Sequence, residues 1–241
     1  MNEPRRVEHQ QTDKGYVPVY TTAVVEQPWD DYKAEDHATW GTLYQRQREL
    51  LVGRASDEFL QAQDEMGMSP HAIPRFDQLN EVLGAATGWT LIGVEGLLPE
   101  LDFFDHLANR RFPVTWWIRR PDQIDYIAEP DLFHDLFGHV PLLMNPVFAD
   151  YMAAYGRGGV KAHAIGPDAL QNLTRLYWYT VEFGLINTAD GLRIYGAGIV
   201  SSKGESLYSL ESAAPNRIGF DLERIMRTRY RIDTFQKTYF V

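Results

Sequence analysis

Cysteine is absent from the 241-residue chain. That excludes a disulfide framework, zinc fingers, thiolate-held iron–sulfur clusters and a thiol nucleophile, so any metal must be held by imidazole, carboxylate or backbone oxygen. Positive charge is scarce as well: 23 Lys and Arg stand against 33 Asp and Glu, a formal net charge of −10. Such a balance speaks against a nucleic-acid binder, which needs a basic footprint, and against an anionic membrane surface as partner. No apolar run reaches the roughly 18 residues of a membrane span. The opening MNEPRRVEHQQTDKG lacks the apolar stretch of a secretory signal, so the expected compartment is the cytoplasm. What the chain does have is core-forming material, 44% apolar and 13% aromatic residues, enough for one large domain.

Residues 1–28 are polar and carry Pro4, Gly15, Pro18 and Pro28; they are expected to form an extended arm ahead of a body over 29–241. Helical spacing begins at Asp36 and runs through Trp40, Leu43, Leu50 and Leu51 to Gly53. Further helices are predicted after Ser56, after Pro74 up to about Ala86, over 101–109, from Asp131 to Pro141, from Asp168 to Gly184, and over SLYSLES and DLERIMRT. Strands are predicted at 89–94, 112–118, 192–195 and in the tail. Many helices, few short strands and no regular βαβ alternation predict a mainly α fold with minor β.

The densest chemistry is PDLFHDLFGHVPLL, residues 130–143. His134 and His139 are five apart, which places them roughly 140° apart on an ideal helix. Gly138 between them and Pro141 after them suggest a fraying last turn that swings His139 back; Pro141 is expected to push Val140 out of the helical region. On its own such a pair reads as two structural histidines. Glu182 adds a third group: a carboxylate at a helix C-terminus, among Trp178, Val181 and Phe183, meets the wrong end of the dipole and needs a cation. Two His and one Glu form the facial triad of non-haem Fe(II) oxygenases, with three positions left open. The competing reading pairs Glu182 with Arg175. Arg119 alternates with Trp117 in TWWIRR and can aim its planar fork at a carboxylate, whereas Arg120 reads as a solvated strand end. GAGIVSSKGES lacks the order of a phosphate loop; its glycines permit close packing and leave Ser201, Ser202 and Glu205 as polar groups. Trp116, Trp117, Tyr177 and Trp178 are core aromatics unless they surround the triad.

PDLFHDLFGHVPLL, YWYTVEFGL and YGAGIVSSKGE, in this order, resemble the pterin-dependent aromatic amino acid hydroxylases, and the likeness runs from about Pro18 to TFQKTYFV. The resemblance implies a single catalytic domain of that family's fold over 29–241. His134, His139 and Glu182 would be ligands of Fe(II). In EGLLPELDFF, residues 95–104, Phe103 would stack on a tetrahydropterin and Gly96 and Leu98 would offer it backbone hydrogen bonds. Asp135 stands where the family usually has Glu beside the pterin. Arg119 would clamp the substrate carboxylate with help from Ser201, Trp178 would pack on the substrate ring, and Tyr177 would belong to the catalytic surroundings. Animal members read TPEPD where this chain reads IAEPD, so Ile127 replaces a Thr that helps hold the amino acid. The implied reaction converts L-phenylalanine to L-tyrosine, dioxygen giving one atom to the ring and one to the pterin. Small molecules are the only partners implied, and the lack of flanking regulatory and tetramerisation segments implies a monomer. Two other classes stand beside this one: a Zn(II) hydrolase on the same ligands, for which only Asp135 could serve as base, and a non-catalytic amino-acid sensor.

Overall fold

Apolar spacing builds the helical frame. In α1 (Ala34–Leu51) the buried side chains Trp40, Leu43, Tyr44, Gln47 and Leu51 form one stripe of the 3.6-residue repeat. α2 (Asp57–Glu65) and α3 (Phe76–Thr87) follow, each closed by a glycine in the left-handed region, Gly67 at φ 66° and Gly88 at φ 74°. The computed structural model describes residues 20–241 and, before them, only the backbone pairing of β1 (Gln11–Thr12) with β2 (Gly15–Tyr16). Most of the expected arm therefore lies outside the described residues. Its described end packs on the body: β3 (Val24–Val25) joins a sheet, and the Gln27 amide donates to Pro74 O and accepts from Phe76 N.

That sheet has the order β3-β4-β5. β4 (Thr90–Val94) and β5 (Arg111–Thr115) are parallel and joined by α4 (Glu100–Ala108), one βαβ unit in an otherwise helical chain. The strand expected to reach Ile118 ends its ladder at Thr115. Beyond it the backbone turns to the Asp131 carboxylate, which accepts the Arg119 N–H at 2.9 Å.

The longest helix, α5 (Pro146–Ile165), has no counterpart among the predicted elements. Its Asn145 N-cap accepts from Val147 N and Phe148 N, and Pro146 occupies the first turn. Gly156, Gly158 and Gly159 depress its helical signal, yet two of them are required by packing. A Cβ on Gly156 would meet Ala108 N at 2.2 Å, and one on Gly159 would meet the Phe104 ring at 2.0 Å. Helix propensity was given up so that α5 could lie directly on α4.

α6 (Pro167–Tyr177) is capped at Gly166 rather than at Asp168, and its helical path continues to Glu182. The hairpin of β6 (Leu185–Thr188) and β7 (Gly191–Ile194) leads to α7 (Ala197–Val200) and α8 (Lys203–Glu211). The tail then adds β8 (Asn216–Ile218), α9 (Leu222–Arg227) and β9 (Thr238–Phe240), the two strands being parallel. Of these, β6 and β8 were not expected from pattern. The main core runs through Trp40, Phe59, Trp89, Leu107, Phe133 and Phe137; Tyr179, Ile225 and Phe240 form a smaller cluster under the tail. The architecture is mainly α with minor β, as predicted, and no helix among the described residues is long and apolar enough to cross a membrane.

Candidate active site

The two histidines meet because the backbone between them is a π-helix, not a fraying turn. Residues His134–His139 adopt π geometry, with Val140 N bonding back five residues to Asp135 O. In such a turn residues five apart share a face, which removes the 140° offset of an α-helix. Val140 keeps helical angles, φ −64° and ψ −38°, and Pro141 opens a 3₁₀ turn, Pro141–Met144. The expectation that Pro141 expels Val140 from the helical region is thus corrected: Pro141 takes the first position of the next turn, where its missing N–H costs nothing. A second π segment, Trp178–Glu182, ends α6, with Phe183 N bonding Trp178 O. The same five-residue step brings Glu182 over Tyr177, and both line one cavity.

Three donor atoms converge there. His139 Nε2 lies 3.1 Å from His134 Nε2 and 3.1 Å from Glu182 Oε1, and His134 Nε2 lies 3.6 Å from Glu182 Oε2. Three ligands held about 2.1 Å from a metal at right angles would be about 3.0 Å apart. The spacing and the N,N,O donor set therefore fit one divalent metal bound on a face. Arg175 is engaged with Gln171, Asn172 and Met226 O, so its pairing with Glu182 is ruled out.

The ligands are held from behind. His134 Nδ1–H donates to Ser201 Oγ at 2.9 Å, and Ser201 Oγ–H donates to Ala197 O at 2.7 Å. This fixes the tautomer that turns the Nε2 lone pair to the cluster. It also corrects the role expected for Ser201: its only proton is spent on Ala197 O, so it positions His134 and cannot donate to a substrate carboxylate. α7 comes this close because of glycines. A Cβ on Gly138 would sit 3.0 Å from Ala197 O, and one on Gly196 would sit 2.5 Å from Glu182 O.

Electrostatics favour a cation. Burial pushes the His134 imidazole down to about 4, so it is neutral. Burial also opposes charge on His139, but the Glu182 carboxylate outweighs it and holds that imidazole above its usual range; Glu182 is held low in return. A metal entering the cluster therefore displaces a proton from His139.

The triad forms one wall of a cavity of about 260 Å³. Gly96, Leu98 and Phe103 line the opposite side, with Phe112, Thr115, Pro130, Asp135 and Tyr177 between. Phe103 is half-buried and edge-on to Tyr177, their centroids 5.8 Å apart. The loop that carries Gly96 and Leu98 is pinned by Trp117 Nε1–H to Glu95 O at 3.0 Å and by Thr21 N–H to Leu97 O at 2.9 Å. Asp135 accepts the Thr115 N–H at 2.7 Å, and burial raises its carboxyl to about 7. Burial and the Glu182 charge push the Tyr177 phenol far above its ordinary range, so it stays protonated.

Two expected residues lie away from these walls. The fork of Arg119 is bidentate on Asp131, Nε to Oδ2 and Nη2 to Oδ1, both 2.8 Å, and both side chains are buried. Asp131 also accepts the His134 N–H at 3.1 Å, so one carboxylate links Arg119 to the triad. From pattern alone Asp131 reads only as a helix opener; a carboxylate three residues before a ligand histidine was the available signal. Trp178 stacks on Tyr230 at 4.1 Å and touches Phe183 at 4.7 Å, and its N–H donates to Gln236 Oε1 at 2.9 Å. Ile127 is half-buried.

Known proteins share this geometry. The family model for biopterin-dependent aromatic amino acid hydroxylases matches residues 17–241. The chain is 70% identical over 217 residues to a phenylalanine-4-hydroxylase of Ralstonia nicotianae, covering 90% of this chain and 69% of that one. It is 68% identical over 215 residues to that of Chromobacterium violaceum, covering 89% and 72%. A crystal structure of the C. violaceum enzyme with bound iron(III) and oxidised cofactor 7,8-dihydrobiopterin superposes with TM-score 0.88 at 66% identity, covering 92% of this chain and 81% of the other. An iron- and phenylalanine-bound structure of it gives 0.86 at 64%, covering 92% and 80%.

Proposed function

The chain belongs to the biopterin-dependent aromatic amino acid hydroxylases, and from that premise we propose how its residues divide the work of hydroxylating L-phenylalanine to L-tyrosine with iron(II), a tetrahydropterin and dioxygen. The observation that carries the reading is the triad of His134, His139 and Glu182, with donor separations of 3.1 to 3.6 Å, on the wall of a cavity faced by Phe103.

When bound, the metal and pterin together supply the activation of dioxygen, one atom of which enters the substrate ring. The chain supplies placement. His134, His139 and Glu182 hold the metal by one face and leave the other toward the cavity. Phe103 offers an aromatic face to the pterin ring, Gly96 and Leu98 offer backbone groups, and Asp135 stands at the far rim as a polar partner. Arg119, locked by Asp131, meets the amino-acid carboxylate with the edge of the guanidinium that Asp131 does not use. Trp178 limits the space for the substrate ring. Tyr177, uncharged and packed between Phe103 and His139, excludes water from the metal face.

We further infer a catalytic domain over 29–241 behind an arm at 1–28, acting as a monomer in the cytoplasm; the acidic, cysteine-free composition supports the compartment. Size-exclusion chromatography with light scattering checks the monomer. The activity itself is tested by aerobic incubation with Fe(II), tetrahydropterin and each aromatic amino acid: a phenylalanine product heavier by one oxygen is expected, and its absence refutes the assignment.

A further inference from the structure

The C-terminal tail is tied into the molecule by polar groups that the site does not use. Glu205 on α8 is 4% exposed, and its Oε1 accepts both the Tyr239 hydroxyl and the Gln236 backbone N–H, the latter at 3.0 Å. Gln236, 5% exposed, donates its amide N–H groups to Arg231 O at 3.0 Å and Thr234 O at 3.3 Å. Both of those partners only accept and the Trp178 indole only donates, so the Gln236 amide has a single orientation, carbonyl toward the indole. That carbonyl takes the Trp178 N–H at 2.9 Å, while Tyr230 from the same tail covers the indole face at 4.1 Å and 12°. Trp178 begins the π segment that ends in Glu182, and Glu205 lies one turn beyond Ser201, the partner of His134. The bracket thus joins the two π segments from outside.

We propose that Gln236 is a positioning residue for the hydroxylation: its carbonyl fixes the indole of Trp178, and that fixed indole sets the tilt of the substrate ring before the metal. The proposal rests on the reading of Trp178 as a wall for the ring. It singles out the indole N–H because stacking on Tyr230 alone restrains the plane of the ring and leaves it free to slide in that plane. One hydrogen bond to a buried acceptor supplies the missing restraint.

The test is a double-mutant cycle on the iron-loaded enzyme with Gln236→Leu, Gln236→Met and Trp178→Phe. Loss of one hydrogen bond predicts that either Gln236 variant raises KM for phenylalanine roughly threefold to tenfold. The share of oxidised pterin that yields tyrosine should fall, while iron content and pterin affinity hold. Near-ultraviolet circular dichroism of the metal-free protein should lose the signal of the stacked Trp178–Tyr230 pair. In the Trp178→Phe background, which has no indole N–H, Gln236→Leu should add nothing. An equal effect in both backgrounds would make Gln236 part of the framework and overturn the proposal, as would failure of both Gln236 variants to fold. Wild-type KM and coupling in Trp178→Phe would instead refute the underlying reading of Trp178. A clear defect in Trp178→Phe with none in the Gln236 variants would sink this proposal alone.

Discussion

The two sides of the cavity are built on different principles. On the metal side every group is committed: two π segments fix the direction of three ligands, Ser201 and Asp131 hold His134, and glycines bring α7 against the backbone of Gly138 and Glu182. The pterin side relies on shape, with half-buried Gly96 and Phe103 on a loop and the first turns of α4. A metal demands ligand placement to a few tenths of an ångström, whereas a flat heterocycle needs a surface and a few backbone donors. Tolerance to substitution should therefore be low on one wall and graded on the other.

The largest effect should come from the ligands themselves. His134→Ala and His139→Ala are expected to drop iron from one per chain to background in elemental analysis and to abolish tyrosine formation. Wild-type iron in either variant would undo the contrast between the walls at its base. Next comes Arg119→Ala. Loss of a desolvated charged partner costs about 2–5 kcal/mol, so kcat/KM for phenylalanine should fall at least roughly 30-fold. Because Asp131 is left buried and unpaired beside His134, the melting temperature should fall as well, as with other broken buried pairs worth about 3–5 kcal/mol. Arg119→Lys should not restore either property, since it lacks the fork.

Ser201→Ala removes the acceptor of His134 Nδ1–H without touching a ligand. A loss of about 10–100-fold in iron affinity is expected, as for other partners behind metal ligands. Titration with Fe(II) would register it, and undiminished affinity would show that the tautomer is held by the metal alone. On the opposite wall, Phe103→Ala should weaken pterin binding several-fold, following the about 0.5–1.5 kcal/mol of an aromatic stack, with iron content unchanged. A fall in iron there would mean that the two walls are not independent.

The smallest effect concerns pH. Burial raises the Glu205 carboxyl above its ordinary range, so the folded state binds its proton more tightly than the unfolded chain. Stability then decreases as pH rises from the unfolded pKa through the folded one. Glu205→Gln, which keeps an acceptor for Tyr239 and Gln236, should flatten that part of a melting-temperature profile. A profile parallel to the wild type would place the carboxylate in a better-solvated setting than its burial indicates.

Much of this architecture is legible in the residues themselves. Gly67 and Gly88 mark the ends of α2 and α3, and the triad is readable because a carboxylate among aromatics at a helix end calls for a cation. What escapes are features that local pattern opposes. α5 is hidden by glycines whose purpose lies on α4, and β8 by a partner strand some 20 residues away. The π turns are invisible because residue type specifies helix well but not the register of its hydrogen bonds. Ser201 is placed on the right surface and given the wrong partner, since the direction of a hydroxyl depends on a carbonyl only the fold supplies.

The π turn between the histidines also changes how the motif can be counted. On an α-helix, removing one residue from between them would give an i, i+4 pair that still shares a face, so H-x4-H over a π turn is geometrically H-x3-H with one residue absorbed by the backbone. That extra residue rotates everything after it by about 100° relative to the ligands. Deleting it would leave two imidazoles side by side while swinging Pro141 and the start of α5 out of register with the core. The surplus residue thus lets one helix satisfy two separate directional demands, inward for the metal and sideways for packing, and it makes the site more vulnerable to a single deletion than to many substitutions.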